Sequence, residues 1–225
     1  MTEFDLGEVT VRELNAALHR PDVPARVVVR NPGGRHNLAV GIDARVVVEI
    51  AGHAGYYCAG ANQQAEVRVA GNCGVGVAEN MMSGRVEVEQ NVSQAAGASA
   101  HGGLLVVHGD ASARCAISLK GADIVVRGSV GHMAAFMAQS GRLVVCGDAG
   151  EAFGDSIYET RAYVRGAVAG LGADCVEKEL RAEHRAELAD LLAAAGLHDV
   201  DAGAFRRYGS ARTLYHFHAG QPAAY

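Results

Sequence analysis

Tryptophan is absent, proline occurs 4 times in 225 residues, and aromatic residues make up only 5% of the chain. With 49% hydrophobic residues and 20% charged ones, a packed core is expected, and long disordered tracts are not. No run of about 18 apolar residues occurs, so no transmembrane helix is expected. The acidic start, Met1-Thr2-Glu3-Phe4-Asp5, lacks the apolar run of a signal peptide. Basic charge is also scarce: Lys+Arg 20 against Asp+Glu 25 gives −5, which argues against nucleic acid or an anionic membrane as the main partner. The five cysteines (Cys58, Cys73, Cys115, Cys146, Cys175) are odd in number and form no C-x-x-C. They exclude a disulfide framework and a zinc knuckle, and imply reduced thiols in a cytoplasmic protein.

Glycine, by contrast, is abundant: 29 residues, where the usual frequency of about 7% would give about 16. The glycines follow a repeat. Segments starting at Arg26, Arg45, Glu66, Arg85, Leu104, Asp123, Arg142 and Arg161 are spaced by 19 residues, with a single spacing of 21. A two-residue insertion at Glu49-Ile50 is the simplest way to absorb the exception. The fourth position then reads Val29, Val48, Val69, Val88, Val107, Val126, Val145 and Val164. The second reads Val27, Val46, Val67, Val86, Leu105, Ile124, Leu143 and Ala162. Apolar residues at i and i+2 around a variable one mark a short strand with one buried face.

Corner glycines (Gly52, Gly71, Gly109, Gly128, Gly147, Gly166) follow the strand positions and are expected to supply positive φ. A later column of mostly small residues runs Leu38, Ala59, Ala78, Gly97, Ala116, Ala135, Gly154, Ala173. The pattern predicts an all-β, right-handed parallel β-helix of about eight 19-residue coils, about 35–40 Å long at the inter-strand spacing. It divides the chain into an N-terminal capping segment (1–25), the β-helix (26–175), and a C-terminal helix with a wrapping tail (176–225). Thr10 and Glu13 form a capping box ahead of a helix with Val11, Leu14 and Leu18 on one face. Residues 176–195 have helix-forming composition and stop at Gly196. Both helices are expected to cover the open ends of the stack. The aromatic and basic tail from Phe205 to Tyr225 reads as a wrapping segment or as an interaction arm.

No motif assembles a catalytic, cofactor or metal site. Gly71-Asn72-Cys73-Gly74-Val75-Gly76 and Gly166 through Gly172 lack the following helix that a nucleotide loop needs, and no Walker-type lysine is present. Cys58 and Cys115 share a column but lie about 14 Å apart at the coil spacing, too far to share an ion with Zn–S bonds of about 2.3 Å. His216-Phe217-His218 offers two ligands without a third. Asp110 and Asp148 share a turn column with Asn72, Asn91 and Ser129, where such residues cap local backbone. Thr2 has the type of an N-terminal nucleophile but precedes a helix-capping sequence. The coil 85–103 departs most from the consensus, with Gln90, Asn91, Ser93 and Gln94 at its corner. It reads as a docking place of different outline or as variation tolerated under a covering segment.

The glycine-cornered coils, as in Gly147-Asp148-Ala149-Gly150-Glu151-Ala152-Phe153-Gly154, resemble the GXGXG domain. That domain forms the C-terminal β-helix of the glutamate synthase large subunit and one of the subunits of formylmethanofuran dehydrogenase. With its Phe205-Arg206-Arg207-Tyr208-Gly209-Ser210-Ala211-Arg212 tail, the chain is most similar to the family of third subunits of N-methylglutamate synthase. The resemblance implies a non-catalytic brace between a class II glutamine amidotransferase-like subunit and an FMN-binding, glutamate synthase-like subunit. FMN, and an iron–sulfur cluster where there is one, would sit in a partner. The reaction implied for the complex converts methylamine and glutamate to N-methylglutamate and ammonia. No catalytic residue carries over, since this chain has no Cys at position 2, no flavin phosphate loop and no cysteine cluster. A formylmethanofuran dehydrogenase-like subunit is the alternative. A self-sufficient β-helix lyase would need an outer groove of acidic and basic residues.

Overall fold

Stacking along the chain follows from the period-2 columns. In the computed structural model, which describes residues 2–213, the repeat strands are β2 (Arg26–Arg30), β3 (Val47–Ile50), β4 (Glu66–Val69), β5 (Arg85–Val88), β6 (Leu104–Val107), β7 (Lys120–Val126), β8 (Ser140–Val145) and β9 (Arg161–Val164). Each pairs in parallel with the next, so the protein is a β-solenoid of about seven turns with two helices. A second parallel ladder of single bridges runs down the stack through Ala54, Cys73, Val92, Ala111, Val130, Ala149 and Val168.

The inward columns are dry. Val27, Val48, Val67, Val86, Leu105, Ile124, Leu143 and Ala162 are fully buried, and so are Val29, Val69, Val88, Val107, Val126, Val145 and Val164. One member of the fourth column differs from the sequence expectation. The register pairs Val48 with Val27 and Ile50 with Val29, so Ile50 takes the fourth position. The 21-residue spacing therefore falls between β2 and β3, in the connection 31–46, and Glu49-Ile50 is no insertion. A connection can lengthen at little cost, whereas an insertion inside a strand would turn its side chains to the wrong face.

The corner glycines also do something other than expected. Gly71, Gly109, Gly128, Gly147 and Gly166 are not in the positive-φ region. They are small because the preceding coil lies against them. A Cβ on Gly128 would collide with Asp110 Oδ1 and stand 2.7 Å from the Gly109 carbonyl oxygen. Positive φ is taken largely by other residue types, among them Ala59, Ala78, Ala116 and Ala135 at φ 54–62°. The left-handed conformation costs about 1–2 kcal/mol per residue. Here it is held by bonds to the preceding coil, such as Ala78 N–H to the Cys58 carbonyl (2.9 Å) and Ala135 N–H to the Cys115 carbonyl (2.8 Å).

The flanks complete the sheet. Strand β1 (Thr2–Asp5), not foreseen from the sequence, pairs in parallel with β2 and puts Thr2 in the ladder opposite Val27. Helix α1 (Val11–Leu18) has the predicted capping box: Glu13 N–H donates to Thr10 Oγ1 (3.2 Å) and Thr10 N–H to Glu13 Oε2 (2.8 Å). Leu14 and Leu18 are buried in the main core, and Asn15 bridges to the Asn37 carbonyl and the Ala39 N–H, so α1 closes the first coil as expected.

The C-terminal half is arranged differently. Residues 175–178 form β10 (Cys175–Lys178), and the helix α2 starts only at Ala182 and runs to Ala194. β11 (Arg206–Ser210) inserts antiparallel between β9 and β10, giving the order β1-β2-β3-β4-β5-β6-β7-β8-β9-β11-β10. The first residues of the tail are thus a strand and not a wrap. α2 does not cap the stack. It lies on the outer face of the sheet, where Leu188, Leu191 and Leu192 pack with Val106, Val125, Val144 and Tyr163. Tyr208 from β11 takes the capping role, edge-on to Phe153 at 5.8 Å in the main core.

Candidate functional site

Three surfaces carry the polar chemistry of the stack. The first is the turn column singled out in the sequence. Its side chains accept from the backbone of the next coil, not from their own turn. Asn72 Oδ1 accepts from Asn91 N–H (2.9 Å), Asn91 Oδ1 from Asp110 N–H (2.8 Å), and Asp110 Oδ1 from Ser129 N–H (2.8 Å). Ser129 Oγ then accepts from Asp148 N–H (3.0 Å), and Asp148 Oδ1 from Ala167 N–H (2.7 Å). Asp110 and Asp148 are bound into this ladder, which welds coils together. The coil 85–103 belongs to it through Asn91, and its strand keeps register with both neighbours. Its unusual sequence does not change its path.

The second surface is the outer face of β2–β5, which α2 touches only at its edge, through Arg85. It is charged: Arg26 pairs with Glu49 (2.7 Å), Arg68 with Glu66 (2.5 Å), and Arg85 with Glu87 (3.1 Å). His108 Nε2 lies 2.7 Å from Glu87 Oε1. Burial pushes the Glu87 carboxyl up, but the bond to His108 and the charge and hydrogen bonds of Arg85 outweigh it, and the net shift is downward. Glu87, Glu89 and His108 bring one donor atom each to within 4.8 Å of one another. Sequence reading missed this grouping, although Glu87 and Glu89 are i, i+2 on one strand face and His108 is one coil beyond Glu89. The Arg85 guanidinium occupies Glu87, so the geometry is that of an ion-pair network.

The third surface is the half of the sheet under α2. Glu187 holds the helix there, accepting from Tyr163 Oη (2.8 Å) and pairing with Arg161 (3.0 Å). Arg85 Nη1 donates to the Ala194 carbonyl at the other end of α2 (2.8 Å). Arg127 is exposed, as the sequence suggests, and reaches Asp199 at 3.1 Å.

The cysteines are all free and buried. Cys58 and Cys115 do not meet; the thiol beside Cys58 is Cys73, one coil on, and that hydrogen bond together with burial pushes the Cys58 thiol up. Burial raises Cys115 and Cys175 to about 12 and Cys146 to about 11. None of these four supplies a thiolate near neutral pH. The glycine run 71–76 forms a coil corner with no helix behind it. His216 and His218 lie outside the described residues. Among the described residues no helix is long and apolar enough to cross a membrane.

Comparison with known proteins yields a partial likeness. The chain is 54% identical over 74 residues to Protein GlxC of Rhizobium meliloti (strain 1021), a stretch that is 33% of this chain. The match spans about a third, 32%, of that protein's length. No protein-family model and no solved structure matches the chain.

Proposed function

We propose that the chain is a structural subunit of a glutamate-synthase-like, flavin-dependent complex of the N-methylglutamate synthase type. It braces a class II amidotransferase-like subunit against an FMN-binding one, in the cytoplasm, and carries no reacting group itself. The observation that carries the reading is the stack: coils in continuous parallel register from β4 to β7, welded by the Asn72–Asp148 ladder, with the outer face of β2–β4 left charged and uncovered. Such a body resists bending and presents fixed charges at about 4.8 Å intervals along the stack, which suits a spacer between two partners. The thiols point the same way, because four of the five are held protonated by burial and hydrogen bonding. The likeness to Protein GlxC, over about a third of each chain, supports a segment shared between larger proteins.

The test is a mild affinity capture of the chain from its native host, with mass spectrometry and an absorbance spectrum of the eluate. Co-elution of an amidotransferase-like chain with a yellow flavoprotein is the expected result, and it would justify assaying methylamine–glutamate exchange. A molybdopterin- or tungstopterin-type partner would transfer the proposal to a formylmethanofuran dehydrogenase-like complex. A lone, colourless chain would overturn the brace reading.

A further inference from the structure

The last strands of the sheet build a cavity unlike anything earlier in the stack. About 440 Å³ in volume, it opens where the turn 158–160 meets β9, β10 and β11. Its wall carries Arg161, Lys178, Arg181, Arg207 and Arg212, with Glu159 as the acidic residue in the lining. Three of the cations are paired: Arg161 with Glu187 (3.0 Å), Arg181 with Glu179 (2.9 Å) and Arg212 with Glu159 (2.9 Å). Lys178 and Arg207 are in no ion pair among the described residues, and the antiparallel register sets them directly opposite one another. Arg207 Nε donates to the Glu179 carbonyl (2.9 Å), but no carboxylate among the described residues offsets the two charges, and like charges facing across a ladder destabilise a sheet.

The same coil carries a second irregularity. Thr160, also in the wall, is 2% exposed, and its Oγ1 has no hydrogen-bond partner. In the five preceding coils its column holds small apolar residues, Ala65, Gly84, Gly103, Ala122 and Gly141. The stack thus introduces a buried hydroxyl at the one coil that borders the cations, and leaves it unsatisfied, which is costly without a partner. The nearby His184 is held below the ordinary histidine range, by burial first and then by the charge of Arg207.

We propose that this cavity is an oxyanion-binding site for a small molecule carrying a phosphate or carboxylate group. Arg207 and Lys178 supply its counter-charge, and the three paired arginines form the rim. Planar guanidinium groups and a compact ammonium both suit such oxygens. The site is independent of the assembly proposed above, since every group that forms it belongs to this chain.

Calorimetric titration of the whole chain tests it, with inorganic phosphate and succinate as separate probes at constant ionic strength. Saturable binding of at least one probe with Kd of about 1 mM or tighter is expected. Phosphate binding alone would assign a phosphorylated ligand, and succinate binding alone a carboxylate. Lys178→Gln should weaken binding about tenfold, a factor equal to about 1.4 kcal/mol. Arg127→Gln, at an exposed arginine elsewhere, should leave it unchanged. Absence of saturable heat with both probes overturns the proposal. So does binding undiminished in Lys178→Gln, a partly exposed position whose substitution leaves the fold intact.

Discussion

The outer face of the sheet is two surfaces laid on one backbone. Along β2–β5 the middle outward residues are Val28, Glu49, Arg68 and Glu87, none of them fully buried, and ion pairs knit the face together. Along β6–β9 the same position holds Val106, Val125, Val144 and Tyr163, all buried under α2. The inward columns are apolar throughout both halves. The inward residues therefore make the coil, and the outward ones decide what the coil carries: in one half its own helix, in the other a charged surface open to a partner.

The comparison can be broken at several depths. The largest effect is expected from Val107→Asp, which buries a carboxylate in the fourth column with no partner. Loss of about 4–5 kcal/mol or failure to fold is expected, and Val88→Asp in the open half should cost as much. Denaturant titration checks both; a folded Val107→Asp with an unchanged midpoint would refute the shared inward column. Leu188→Ala should separate the halves. It removes a buried anchor of α2 at about 2–5 kcal/mol, and hydrogen exchange should then show α2 and β6–β9 opening while β2–β5 stay protected.

Gly128→Ala should destabilise by about 1–3 kcal/mol although its φ is ordinary, because the new methyl meets the preceding coil. A neutral melting temperature would mean that the coils can spread. Asp110→Ala frees the Ser129 N–H and should cost about 1 kcal/mol. Asp110→Asn should cost almost nothing, since Asn72 and Asn91 accept the same bond one and two coils away. Thermal melts of the two variants side by side decide the point.

The smallest effect concerns the charged half. The Glu87 carboxyl lies below its usual range in the folded chain. Its contribution to stability is therefore present above the unfolded carboxylate pKa, near 4.5, and is lost as pH falls through the lower folded value. Glu87→Gln should lose part of the stability near neutral pH and flatten the acid limb of a melting-temperature profile. An identical profile would show that the ion-pair network of the open half contributes nothing to stability.

Much of this was readable in advance, and the misses have physical causes. The inward valines outside β3, the 19-residue period and the Thr10–Glu13 box are local or strictly periodic features, and each appeared where expected. The outward column from Val106 to Tyr163 was equally visible, but an apolar outer face names no partner, so α2 was expected at the end of the stack. β1 and β11 are 4 and 5 residues long, too short to show a period. The Thr160 hydroxyl gave no signal along the chain, because its isolation is a property of the surroundings.

The chain alone determined the solenoid, because a column repeated every 19 residues leaves one way to bury so many valines and small residues at once. It also placed glycine at most corners, where a Cβ would meet the preceding coil. Tertiary structure decided the rest: the place of the two extra residues, the insertion of β11 between β9 and β10, the seat of α2, and the meeting of Lys178, Arg207 and Thr160 at one cavity. These depend on contacts between segments about 20 to 90 residues apart, whose pairing is set by competition among whole surfaces and leaves no periodic trace along the chain.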